Sequence, residues 1–382
     1  MAQTQAAHPT HPGERILALD VLRGFAMFGV LVAYCMWSLG TAPEQSYSAF
    51  DRGLDRGLGF LVDGKFYTIL ATLFGLGFAL QLGRSSNDRN AVRLYRRRLA
   101  VLAAIGLMHA LLLRNGDILV PYALTGFLLV PFRKASNRLI FTAAFIALLA
   151  AYSSRLLWPM TGIAVPRRPD LSGASYLVEN AAWVRYWYET FIFTWPINLT
   201  MFLFGLWAGR NRIIERLASE PKTLRTILFC GLVLGGGFYF GLRAAEAQPG
   251  SKAWQLAGGL SYTFHCWGMS SAYAAAILLT LRTQTGRRIL APLATIGRLA
   301  LTNYLMQAAL VVPLCLAFGW FDRFTPTTAL LLALLIFGLV QIPFSLWWVK
   351  RFNFGPAEWV WRALSYGRAP PLTARPNDYA PI

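Results

Sequence analysis

His109, Asp117 and Tyr122 are the residues whose types and spacing point most directly to proton chemistry in this 382-residue chain. An imidazole titrates near neutrality and acts as a general base when a carboxylate or phenol orients it. His109 lies eleven residues beyond Arg98 in an apolar run, about 16 Å along a helix, past the middle of a bilayer and awkward for an idle imidazole. The turn Arg114-Asn115-Gly116-Asp117 folds the chain back, with Gly116 suited to a left-handed cap and Asp117 to capping the next helix. That hairpin is expected to set Tyr122 opposite His109, with Asp117 and Arg114 at the mouth. The structural alternative is a His-to-Tyr hydrogen bond between helices and an Asp117 that only caps.

Other polar residues fall inside apolar runs. Asp20 and Arg23, three apart, share a helix face and are expected to pair, either toward a substrate or as an anchor at the interface. Asn303 and Gln307, four apart, share a face with Gln341 at similar depth on the next run. They are candidates for substrate binding, although uncharged amides satisfied by one another also join helices. His265 sits near a run's end, where a hydrated imidazole is unremarkable. Asp63 and Lys65 either pair or meet water. No His or carboxylate stands at zinc-ligand spacing from a cysteine, so no metal site is expected.

The elements that must position these residues follow from composition. The chain is 56% hydrophobic and 14% charged, with a mean hydropathy of +0.45, far more apolar than a soluble domain. About ten runs approach the roughly 20 residues needed to span a bilayer: 18–39, 61–82, 99–114, 117–132, 139–158, 191–209, 224–242, 257–281, 294–318 and 328–349. They are continuously apolar, whereas a β-barrel alternates. The expected fold class is all-α, a polytopic transmembrane helical bundle in one integral domain. Residues 1–15 form a polar tail with no signal-peptide pattern, so the first helix is expected to stay. Residues 159–191, rich in Tyr and Trp, suit the outer headgroup zone, and 351–382 should hold a short interfacial helix beginning at Pro356 and then a tail. The segments Leu73-Phe74-Gly75-Leu76 and Leu203-Phe204-Gly205-Leu206 echo each other but are too short to establish a repeat.

Of 36 Lys and Arg, 23 fall in one alternate set of loops and 11 in the other, with Arg15 and Arg23 joining the larger set. The positive-inside bias is expected to put both termini in the cytoplasm. It also accounts for the net charge of +19 without nucleic acid. The basic face can attract anionic lipid or a polyanionic cytosolic donor. The chain carries no P-loop, dinucleotide fingerprint, Gly-x-Ser-x-Gly elbow or His-Glu-x-x-His. Cys35, Cys230, Cys266 and Cys315, each within an apolar run, read as small buried hydrophobes.

Several segments together resemble the YeiB-like family of bacterial membrane proteins, which carries a domain of unknown function. They are Leu19-Asp20-Val21-Leu22-Arg23-Gly24-Phe25, Lys65-Phe66-Tyr67, Gly106-Leu107-Met108-His109, Gly116-Asp117-Ile118-Leu119, Gly297-Arg298-Leu299-Ala300-Leu301-Thr302-Asn303-Tyr304-Leu305 and Phe354-Gly355-Pro356-Ala357-Glu358-Trp359-Val360-Trp361-Arg362. The Asp-x-Leu-Arg-Gly start is also similar to that of membrane acyltransferases. The resemblance implies transfer of an acyl group from a cytosolic acyl-coenzyme A, as co-substrate and not as a resident cofactor, to a small-molecule or lipid-linked acceptor hydroxyl or amine. Those enzymes commonly carry a His eleven positions after the Arg; here that position is Tyr34, which shifts the expected base to His109. A proton-coupled transporter and a non-catalytic membrane subunit are the competing readings.

Overall fold

The computed structural model describes residues 17–39, 42–83, 88–113, 117–157, 175–190, 195–248 and 251–373. The polar tail 1–15, the turn residues Arg114 to Gly116, the stretch 159–174 and the last residues from 374 lie outside them. The chain begins with α1 (Leu17–Ala33), α2 (Ala49–Leu61), α3 (Lys65–Gly83), α4 (Asp88–Leu112), α5 (Leu119–Leu129) and α6 (Asn137–Leu157). Next come α7 (Tyr176–Thr190), α8 (Trp195–Arg210), α9 (Ile213–Ser219), α10 (Pro221–Glu246) and α11 (Lys252–Thr280). The last group is α12 (Gln284–Arg298), α13 (Ala300–Phe318), α14 (Pro326–Leu335), α15 (Ile342–Val349) and α16 (Pro356–Tyr366). Among the described residues the only extended pairing is an isolated bridge between Phe352 and Thr373.

Among the described residues, five stretches are long and apolar enough to cross a membrane: Leu17–Trp37, Ala49–Leu82, Pro221–Glu246, Ala300–Phe318 and Pro326–Val349. The other expected spans fall on α4, α5, α6, α8 and α11, which are shorter or more polar. Phe229, Leu232, Val233, Leu234 and Phe240 on α10, with Phe145 and Ile146 on α6, are exposed. An apolar surface of that kind is untenable in water and ordinary against lipid. Cys35, Cys266 and Cys315 are buried as expected, but Cys230 is exposed on α10.

Three expected runs are interrupted, each for a local reason. Gly64, at φ +75°, separates α2 from α3, a conformation that disfavours any side chain. The run 294–318 breaks at Leu299, where α12 gives way to α13. The last run widens into a π-turn at Ile336–Gln341 before α15, because Pro343 lacks an N–H and crowds the carbonyl four residues back.

Helices approach closely where glycines face each other. In α3 and α8, a Cβ on Gly75 would lie 2.0 Å from the Phe202 carbonyl oxygen, and one on Gly205 would lie 2.0 Å from that of Thr72. The echoed Leu-Phe-Gly-Leu segments are therefore the two sides of one crossing. A similar glycine crossing joins α10 to α11, where a Cβ on Gly231 would lie 2.6 Å from the Gly268 carbonyl oxygen. Without a hydrophobic drive between helices in lipid, such proximity supplies the dispersion contacts that hold a bundle together.

α16 locks one end of the bundle. Glu358 Oε1 accepts from the Leu301 and Thr302 N–H groups at 2.7 and 3.1 Å, and its Oε2 from the Thr302 hydroxyl at 2.5 Å, capping α13 from outside its own chain segment. Trp361 Nε1 donates to the Arg98 carbonyl at 2.9 Å, and the Arg98 guanidinium lies 4.4 Å from the Trp361 ring centroid. Arg362 lies over Phe354. The short helix expected at Pro356 is thus an integral brace.

Candidate functional site

The distal end of α4, the start of α5 and the middle of α13 converge on His109, Asp117 and Tyr304. His109 is 5% exposed, and its Nδ1 lies 3.3 Å from Asp117 Oδ1. Asp117 Oδ2 accepts from the Val120 N–H at 2.8 Å, so it caps α5 as its position suggested and still presents Oδ1 to the imidazole. The Tyr304 hydroxyl donates to Asp117 Oδ1 at 3.2 Å and accepts from the Ile118 N–H at 3.1 Å. Its ring packs 5.0 Å from the imidazole centroid. Gly106, one turn before His109, makes room: a Cβ there would lie 2.7 Å from Asp117 Oδ2.

Buried polar atoms are expected to have partners. Both ring nitrogens of His109 are buried without a hydrogen bond among the described residues; Nδ1 faces Asp117 Oδ1 within ion-pair range, and Nε2 faces no such group. A carboxylate facing Nδ1 favours the tautomer that carries its proton there and turns the Nε2 lone pair away from Asp117.

α7 covers this end of α4. The Tyr176 hydroxyl donates to the Leu113 carbonyl, and Asn180 Nδ2 donates to that of Leu111 at 3.3 Å, satisfying carbonyls that the helix end leaves open. Tyr188, from the same helix, interacts electrostatically with Asp117. Tyr34, in the π-turn that follows α1, interacts electrostatically with Tyr304.

Tyr122 is not the phenol of this cluster. Its hydroxyl donates to the Tyr67 carbonyl at 2.9 Å, its ring packs against Tyr67, Phe74 and Phe202, and the Tyr67 hydroxyl in turn donates to Asn198. The helical rotation between Asp117 and Tyr122 turns that side chain toward α3 and α8, and Tyr304 from α13 takes its expected place. Tyr304 is adjacent to Asn303 in a segment already marked by resemblance, but no local pattern puts α13 beside α4.

The remaining candidates are held elsewhere. Arg23 Nη1 donates to Asp20 Oδ1 at 2.8 Å, the expected pair, at the crossing of α1 with α12. Asn303, Gln307 and Gln341 are buried and form an amide ladder. Gln307 Nε2 donates to the Met27 carbonyl at 3.1 Å, Gln341 Nε2 to the Asn303 carbonyl at 2.9 Å, and Asn303 Nδ2 to Ser345 Oγ at 3.0 Å. These bonds join α1, α13, the π-turn and α15, the inter-helix role that uncharged amides can fill.

Asp63, Lys65 and His265, separate candidates in the sequence, come together in a second, largely buried cluster. Lys65 is fully buried and donates to the Gly59 carbonyl at 2.7 Å, with Asp63 nearby. Cys266 and Ser270 donate to the Asp63 and Lys65 carbonyls, and His265 Nδ1 lies 2.7 Å from the Gly235 carbonyl oxygen. The Lys65-Phe66-Tyr67 motif was a signal for it, but its depth was not. Among the described residues no group of three or more His, Cys, Asp or Glu gathers to hold a metal.

The family profile described as "Protein of unknown function (DUF418)" matches residues 208–368. An "Uncharacterized 39.9 kDa protein in amylase 3'region" of Bacillus acidopullulyticus is 31% identical, over 94% of this chain and 96% of its own length. "Uncharacterized protein YxaH" of Bacillus subtilis is 28% identical over 94% and 96%. "Uncharacterized protein YeiB" of Escherichia coli is 27% identical over 95% and 99%. No solved structure matches the chain significantly. With nearly end-to-end similarity to these bacterial proteins, the chain belongs to the YeiB-like family, marked here by the DUF418 domain of unknown function at residues 208–368.

Proposed function

We propose that this protein is an inner-membrane acyltransferase, one integral domain of about ten spans with both termini cytoplasmic, which moves an acyl group from a cytosolic thioester to an acceptor hydroxyl or amine. The observation that carries this reading is the orientation of His109: Nδ1 at Asp117, Nε2 buried and unpartnered. An imidazole that a carboxylate faces at Nδ1, with Nε2 turned away from it, is the base an acyl acceptor needs. His109 Nε2 takes the acceptor proton as the acceptor oxygen or nitrogen attacks the thioester carbonyl, and returns it to the departing thiolate, so that the products are ester or amide and free thiol. Asp117 holds the ring and stabilises the transient imidazolium; Tyr304 fixes Asp117. Tyr34, where similar acyltransferases carry a His, belongs to the surroundings of the same Tyr304.

The test uses purified full-length protein with a panel of acyl-coenzyme A species, reading thermal shift and thiol release. The expected result is stabilisation by at least one thioester and turnover that falls about 10²–10⁴-fold in His109→Gln. Absence of any response to every thioester would overturn the reading. A proton-coupled transporter would then stand first, a reading favoured by the second buried titratable cluster around Lys65.

A further inference from the structure

At the end of the bundle that α16 braces, α4 and the turn after α5 enclose a cavity of about 340 Å³ lined by Arg89, Val92, Arg93, Arg96, Val130 and Arg133. Arg89, Arg93 and Arg96 are spaced i, i+4 and i+7, so all three project from one face of α4. Arg133 comes from the 3₁₀ turn Val130–Lys134. Val130 is buried and Val92 half-buried, giving the cavity an apolar floor beneath four guanidinium groups. None of the lining residues is acidic.

The neighbouring arginines show what the remainder of this helix does. Arg98 is spent on Trp361, and the Arg97 guanidinium stands beside Gly367, both on the side of α4 that α16 covers. Arg89, Arg93 and Arg96 are exposed, and none makes a hydrogen bond or ion pair among the described residues. Scattered arginines satisfy the positive-inside bias anywhere in a loop. Three on one helical face, a fourth brought in from another segment and a concave apolar floor make a receptor for a compact anion with several oxygens.

We propose that this cavity binds a phosphate ester, with the guanidinium forks of Arg93 and Arg96 taking its oxygens in paired hydrogen bonds and Arg89 and Arg133 completing the charge. Arginine matches phosphate geometry in this bidentate way, and cavities of this kind between membrane helices receive phosphate headgroups. The phosphate has two possible sources, an anionic phospholipid headgroup or a soluble phosphorylated molecule. The proposal stands without the acyl-transfer reading.

The experiment uses full-length protein in phosphatidylcholine nanodiscs. One arm adds inorganic pyrophosphate, and the other replaces part of the lipid with phosphatidylglycerol; thermal melting is followed in both, and pyrophosphate Kd by thermophoresis. Stabilisation by phosphatidylglycerol alone assigns the headgroup, and a response to pyrophosphate alone assigns a soluble ligand. In either case the Arg93→Gln/Arg96→Gln variant should lose the stabilisation or bind about tenfold more weakly. Arg93→Lys/Arg96→Lys, which keeps charge without the fork, should fall between, and Arg225→Gln, an exposed cation on α10, should match wild type. These side chains are exposed, so unliganded melting should not move. Equal responses in wild type and the glutamine variant, an equal loss in Arg225→Gln, or no response to either anion would overturn the proposal.

Discussion

Gly24 and Gly297 stand back to back where α1 crosses α12. A Cβ on Gly24 would lie 1.8 Å from the Leu293 carbonyl oxygen, and one on Gly297 would lie 1.8 Å from the Asp20 carbonyl oxygen. The two most characteristic segments of the chain, Asp20-Val21-Leu22-Arg23-Gly24 and Gly297-Arg298-Leu299, are thus one packed unit. The glycines serve close approach, and the blocking atoms are backbone, which cannot rotate away.

Gly297→Ala should therefore destabilise by about 2–3 kcal/mol, as overpacking against rigid atoms does. Gly237→Ala, on α10 with nothing within 4 Å of the added carbon, should be neutral or slightly stabilising. Melting of the two variants in detergent checks the pair. Equal effects would show that the crossing is not tight.

Tyr304 and Tyr122 separate the site from its scaffold. Tyr304→Phe removes both the donor to Asp117 and the acceptor of the Ile118 N–H, and should lower thioester turnover about 10–100-fold beside a stability cost of about 1–2 kcal/mol. Tyr122→Phe removes a bond to the Tyr67 carbonyl and should cost about 1 kcal/mol of stability with turnover retained. The measurement is kcat in the two variants below their melting temperatures; an equal fall in both would remove Tyr304 from the site.

If the amide ladder serves only to join helices, Gln341→Leu should cost about 1 kcal/mol by leaving Asn303 and Gln307 short of a partner, without altering thioester response. A loss of turnover at unchanged melting temperature would return these amides to the substrate path.

Burial raises the Glu358 carboxyl above the ordinary carboxylate range, against the hydrogen bonds from Thr302 and Leu301 that pull it down. A raised folded-state pKa means that the folded chain holds the proton more tightly than the unfolded chain. Stability from this group is then fully present below the unfolded pKa and declines as pH rises through the folded one. Melting followed from neutral pH down toward the ordinary carboxylate pKa should rise more in wild type than in Glu358→Gln. Parallel curves would remove Glu358 as the cause.

Orientation is tested by single cysteines in a Cys230→Ala background. Arg368→Cys, just after α16, should react with a membrane-impermeant maleimide only after cells are opened, whereas Arg185→Cys on α7 should react in intact cells. Reactivity in the reverse order would invert the topology.

Composition and hydropathy alone made this an all-helical membrane protein, because a bilayer demands long apolar runs whose backbone satisfies itself. The charge asymmetry, the interfacial Pro356 helix, the Asp20–Arg23 pair and the cap at Asp117 were legible for a similar reason: each depends on residues within a turn or two. The tertiary structure alone decided which phenol meets His109 and Asp117, that Leu-Phe-Gly-Leu pairs with its echo, that Glu358 caps α13 and that Asn303 and Gln307 bond to neighbouring helices. Those relations depend on how each helix is rotated against neighbours far away in sequence. Rotation is set by packing and glycine contacts that no single run contains, which is why Tyr122 was the natural choice from sequence and Tyr304 is the residue found there.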